Sequence, residues 1–127
     1  MARYPLQPLL SVRKYREDAA QTRLRQAEHA LQEALENLNT KEKKLADYQQ
    51  WRREEEDRRY ESIMNQMLSL DDLDLFKAGL ARLREDEVLR EEAVLTARQE
   101  HDRASQAVED AKKNVHLAQR ETARIVT

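Results

Sequence analysis

Two stripes of apolar and small residues run along the chain, each spaced alternately three and four apart. The first is Leu10, Arg13, Glu17, Ala20, Leu24, Ala27, Leu31, Ala34, Leu38, Lys41, Leu45, Tyr48 and Arg52. The second is Leu73, Phe76, Leu80, Leu83, Glu87, Arg90, Val94, Ala97, His101, Ala104, Val108, Ala111, Val115, Ala118, Thr122 and Ile125. This spacing keeps one narrow face of a helix turned toward another helix. The pattern predicts an all-α fold, a long antiparallel two-helix coiled coil or α-helical hairpin. It predicts one domain over residues 1–127, with a first helix at about 8–67, a turn at about 68–71 and a second helix at about 70–125. At 1.5 Å per residue the first helix would run about 90 Å.

The helix ends are legible from local chemistry. Pro5 and Pro8 push their preceding residues out of the α region, and Pro8 suits a first helical turn. Neither Gly nor Pro occurs between Leu9 and Ala78, so the break between helices must come from other residues. Ser69 can cap a helix whose third residue, Asp72, completes a shortened capping box. Leu68 and Leu73 occupy the positions of a hydrophobic staple, and Asp71, Asp72 and Asp74 suit the positive pole of the helix. Gly79 costs about 1 kcal/mol against Ala in a helix interior. It marks either a close approach or a local bend.

Facing positions in an antiparallel pair share a constant index sum. Leu45 with Val94, Leu38 with His101, Leu31 with Val108 and Leu24 with Val115 all give 139, and Ala34/Ala104, Ala27/Ala111 and Ala20/Ala118 give 138. These sums centre the reversal on Ser69–Leu70, where the cap also places it. Ala–Ala layers alternating with Leu–Val layers favour a close pair over a wide bundle. Nearer the turn the seam becomes polar. Tyr48 should meet Arg90 in a cation–π contact, and Arg52 should pair with Glu87. Tyr60, Ile63, Met64 and Met67 should then join Leu73, Phe76 and Leu80 in a small apolar tip.

Composition sharpens this picture. Charged residues make up 38% of the 127, with one Gly, two Pro, one Phe and one Trp. An ordinary domain carries about 25% charge and about 7% Gly. Such a chain cannot fill a thick core, but it can form helices that share a thin seam; disorder, the competing compositional reading, is opposed by the sustained heptads. The chain has no Cys, so disulfides and thiolate metal sites are excluded. No apolar run approaches the roughly 20 residues of a membrane span, and no signal-peptide h-region is evident, so a soluble cytosolic protein is expected.

Charge is unevenly distributed. Residues 1–30 hold six basic and three acidic side chains, residues 54–92 six and thirteen, and residues 112–127 four and one. A hairpin would gather the basic segments at one end and the acidic segment at the other, so charged partners could orient it. Uneven solvated charge is the simpler alternative.

Catalytic chemistry finds no foothold. His29, His101 and His116 lie in no H-E-x-x-H or E-x-x-H pattern, and neither a phosphate loop nor a G-x-S-x-G is present. No cofactor or metal is therefore expected. Glu54–Glu55–Glu56–Asp57 reads as a solvated face. The basic residues are interspersed with acids and lack stacking aromatics, which argues against nucleic-acid binding. Trp51, Leu35, Val88, Leu89, Leu95 and Leu117 fall outside the seam. Trp51 is either a partner anchor or a cover for neighbouring Arg and Lys stems.

The N-terminal run Arg3-Tyr4-Pro5-Leu6-Gln7-Pro8-Leu9-Leu10-Ser11-Val12-Arg13-Lys14-Tyr15-Arg16-Glu17 resembles the opening of the YscO/FliJ family. These are central stalk proteins of type III secretion and flagellar export ATPases, and the secretion-type branch is the nearer match. The resemblance implies a noncatalytic hairpin stalk in the bacterial cytoplasm, peripheral to the inner-membrane export apparatus. It implies that the end carrying both termini engages the ATPase hexamer and promotes its assembly or activity. It further implies contacts with the export gate and with translocator chaperones. By this resemblance Arg3, Tyr4, Leu6, Leu9, Leu10, Arg13 and Arg16 face the ATPase. Leu45, Tyr48, Phe76 and Leu80 match a gate-binding patch in part, with Trp51 beside them as a partner contact. Arg52 and Glu87 depart from that patch, where a Tyr and a His are expected. A general coiled-coil adaptor with no ATPase partner remains the alternative, and an enzyme the remote one. A monomeric hairpin is expected ahead of a swapped dimer, which would bury the same stripes.

Overall fold

A computed structural model describes the backbone of residues 6–126 and the side chains of residues 7–124. It contains two helices, α1 (Leu6–Met64) and α2 (Leu70–Val126), joined by a short link. The protein is an all-α helical hairpin. The chain divides into two units, one of Glu36–Gln99 and the other of the chain up to Leu35 and from Glu100 onward.

In the turn unit, Leu83, Val94 and Ala97 are buried, and Leu45, Tyr48, Arg52, Ile63, Leu73, Phe76 and Leu80 are half-buried beside them. The expected register holds: Arg90 lies over the Tyr48 ring, 3.9 Å from its centroid, and Arg52 Nε lies 2.8 Å from Glu87 Oε2. The link follows the expected chemistry at its second half. The Asp72 N–H donates to Ser69 Oγ (3.1 Å), and the Ser69 N–H donates back to Asp72 Oδ2 (3.4 Å), a reciprocal box with Asp in place of the longer Glu.

Its first half differs. α1 closes at Met64 rather than near Met67, with one tight turn in which the Gln66 N–H donates to the Ile63 carbonyl at 3.3 Å. The last turn of α1 has no basic side chain, and no described residue has positive φ, so neither a counter-charge nor a left-handed cap holds the helix further. Met64 and Met67, expected inside the apolar tip, are 81% and 104% exposed. Tyr60 keeps its predicted partner, packing edge-on against Phe76 with ring centroids 5.2 Å apart.

In the terminal unit, Ala20 and Val108 are buried, and Leu10, Leu24, Leu31, Ala104, Val115 and Thr122 are half-buried. The small residues at this seam permit close helix approach, so burial comes from many partial contacts and not from a few enclosed side chains. α1 begins at Leu6, two residues ahead of the expected start, which puts Pro8 third in the helix. That position needs no intrahelical N–H donor, so the ring is accommodated. Arg13 pairs with Glu121, one helical turn from the position that the register places opposite it.

Candidate partner-binding surfaces

Tyr48 is fixed by contacts from both helices of the turn unit. It sits on the seam, so its ring is held between the helices while its hydroxyl donates to the Leu83 carbonyl on α2. Burial pushes its phenol above the usual value, Asp86 adds to this, and the Arg90 guanidinium opposes it. Trp51 lies three residues on, on the same side of α1, with its ring 5.6 Å from Tyr48 and tilted by 39°. It is 43% exposed. Tyr48, Trp51, Leu83 and Arg90 line an open notch of about 590 Å³, rimmed by Lys44, Asp47 and Asp86. An aromatic floor with charges of both signs can seat an amphipathic segment of another protein.

Behind the notch is a charge cluster. Arg52 lies 3.1 Å from Glu56 and 2.8 Å from Glu87, and Arg84 reaches Glu56 at 3.3 Å. Burial pulls the Arg52 pKa down, but its ion pairs with Glu56 and Glu87 outweigh this and raise it overall. The Nε–Glu87 approach is close but poorly aligned for a hydrogen bond, so it acts as an ion pair. Glu55 accepts from Arg58 and Arg59, which hold its carboxyl below the usual range. Glu55 and Glu56 are thus half-buried and paired, not part of the fully solvated face expected for residues 54–57.

Of the gate-patch candidates, Leu45, Tyr48, Phe76 and Leu80 are half-buried on the seam of the turn unit, and Trp51 beside Tyr48 is partly exposed. Leu83, Lys44, Asp47 and Asp86 complete the notch, and the last three stand out in no sequence pattern. Leu83 was visible as a seam residue, but only its neighbours in space reveal the notch. Leu35, Val88, Leu89, Leu95 and Leu117, expected outside the seam, are all exposed.

In the terminal unit, Arg3 and Tyr4 lie outside the described residues. Leu6 opens α1, and its side chain also lies outside them. Leu9 is 40% exposed, Leu10 is half-buried, Arg13 is held by Glu121, and Arg16 is exposed with no ion pair among the described residues. Val12 and Tyr15, 48% and 74% exposed, add apolar surface beside these cations. Tyr15, Arg16, Arg23 and Leu117 border a shallow groove of about 440 Å³ over Ala19, Ala20 and Ala118.

Among the described residues no group of His, Asp and Glu could hold a metal ion, and no helix is long and apolar enough to cross a membrane. Such surfaces define a class, an all-α helical hairpin that carries apolar and charged patches on its flanks. The comparisons with known proteins narrow it. The family model described as type III secretion protein YscO matches residues 6–127, and the chain belongs to that family. It is therefore a type III secretion component. The crystal structure of type III secretion protein YscO from Vibrio parahaemolyticus superposes with a TM-score of 0.91 at 25% identity, covering 95% of this chain and 76% of that one. No curated protein sequence matches the chain.

Proposed function

We propose that the protein is a noncatalytic stalk of a bacterial type III secretion system. It engages the secretion ATPase hexamer, promotes its assembly or activity, and links it to the export gate and to translocator chaperones. It works in the cytoplasm, at the inner-membrane export apparatus. The observation that carries this reading is the terminal unit: Leu9, Val12 and Tyr15 are exposed beside Arg16, a cation with no ion pair among the described residues, in a chain of the YscO family. An exposed apolar strip flanked by basic charge suits an acidic protein lumen. Arg3, Tyr4, Leu6, Leu9, Leu10, Arg13 and Arg16 are the residues assigned to the ATPase. Leu45, Tyr48, Trp51, Phe76 and Leu80 are assigned to the gate or another partner, with Trp51 the side chain best exposed for contact.

The test combines the protein with its cognate ATPase and follows oligomerisation and hydrolysis. Both should rise on addition of the wild type. Arg16→Glu should abolish the gain, since Arg16 makes no ion pair among the described residues whose loss could confuse the result. Failure of the wild type to bind, or full activity of Arg16→Glu together with Leu9→Asp, overturns the assignment. Capture of other partners without the ATPase would point to a general adaptor.

A further inference from the structure

We propose that the turn between α1 and α2 is a docking head for a basic amphipathic helix of a partner protein. Four large apolar side chains project there: Met64 (81% exposed), Met67 (104%), Leu70 (81%) and Leu75 (72%). Monomers seldom leave so much apolar side chain together in water without a use for it. Ile63, Leu68, Leu75 and Phe76 also line a groove of about 320 Å³ in the same place, with Asp72 and with Arg59, whose charge is met by Glu55. Methionine is unbranched and polarizable, so such a surface can mould itself to an incoming apolar face.

Charge selects the partner. From Tyr60 to Phe76 there are four acidic residues and no Lys, Arg or His. Asp72 is engaged in the cap, but Glu61, Asp71 and Asp74 make no ion pair among the described residues. The negative pole of α1 ends here as well, without a basic side chain in its last turn. Its terminal carbonyls therefore add negative potential to that of the carboxylates. An apolar, methionine-bearing surface with an acidic rim complements a helix that carries leucine-like residues on one face and Lys or Arg on its flanks. A second copy docking turn to turn would bring two acidic rims together, and an anionic lipid surface would repel one. The site uses none of the terminal residues, so it stands or falls independently of the ATPase assignment.

The probe is a short labelled amphipathic helix of leucine and lysine, titrated with the full chain by fluorescence anisotropy, with its leucine and glutamate counterpart as control. The lysine peptide should bind, and binding should weaken with salt. The exposed-site variant Met67→Ser/Leu70→Ser/Leu75→Ser should weaken it roughly tenfold. Asp74→Asn should weaken it a few-fold at low salt, with the gap closing at high salt. Circular dichroism melts matching the wild type show that the fold is kept. Equal binding by wild type and triple variant, or by the two peptides, overturns the proposal. So does a turn that instead drives self-association in sedimentation, or binding to phosphatidylserine vesicles, which the triple variant abolishes.

Discussion

Replacing Arg52 by Ala leaves Glu87 half-buried without an ion pair among the described residues and Glu56 with only Arg84. Arg52 and Glu87 side chains are each 15% exposed and Glu56 12%, so water compensates little of the loss. Denaturant unfolding should show a destabilisation of about 2–3 kcal/mol, and Arg52→Leu with Glu87→Leu should recover most of it, because the unpaired charge and not the missing pair carries the cost. Tyr48 gives a pH prediction. Its phenol has a raised pKa in the folded state, so the folded chain holds this proton more tightly than the unfolded chain does. The stabilisation is complete below the ordinary value of 10.0 and is lost as pH rises through the folded value. Urea melts across that range should show an alkaline loss of stability that is smaller in Tyr48→Phe. Both contacts were legible in the index sums, since Tyr48–Arg90 and Arg52–Glu87 follow from register. The hydroxyl bond to Leu83 was not, because it depends on how the ring leans along the groove.

At the scale of the element, Gly79 is decided by its surroundings. Its φ is not positive, and α2 continues through it, so no turn requires a glycine there. A Cβ would meet Arg59 Nη1 at 2.9 Å. That atom is the far end of a flexible side chain, so the guanidinium can swing aside. Gly79→Ala should therefore stabilise the fold by up to about 1 kcal/mol, measured as a rise in the denaturant midpoint at constant m-value. The close-approach alternative was open in the sequence, yet the approaching group could be named only once α1 was packed alongside. The start of α2 was readable from Ser69 and Asp72, because capping is local chemistry. The end of α1 was not, because Asn65, Gln66 and Met67 carry no breaker. The chain leaves the helix there only to reach the cap at Ser69.

For the whole molecule, the question is whether one chain or two supply the seam. Arg23 and Leu117 border the same groove in the terminal unit. Spin labels on these two exposed positions should give a short distance that persists when labelled chain is diluted into excess unlabelled chain. Loss of the short distance on dilution would mean a swapped dimer, which buries identical stripes. Membership in the YscO family rests on nearly the full length of the chain, so the hairpin and the secretion role belong together.

What the residues determined alone was periodic and local. The three–four spacing named both seams, and of the described seam residues only Arg90 lies exposed. Burial of a stripe is a one-dimensional property that a single helix already displays. The cap, the register and the uncovered Leu and Trp flanks followed for the same reason. Tertiary structure decided which flanking side chains stand together: the Tyr48–Trp51 notch, the half-burial of Glu55 and Glu56, and the release of Met64 and Met67 into solvent. Those depend on distances across two helices and on how the link is threaded, and spacing along one chain does not encode them.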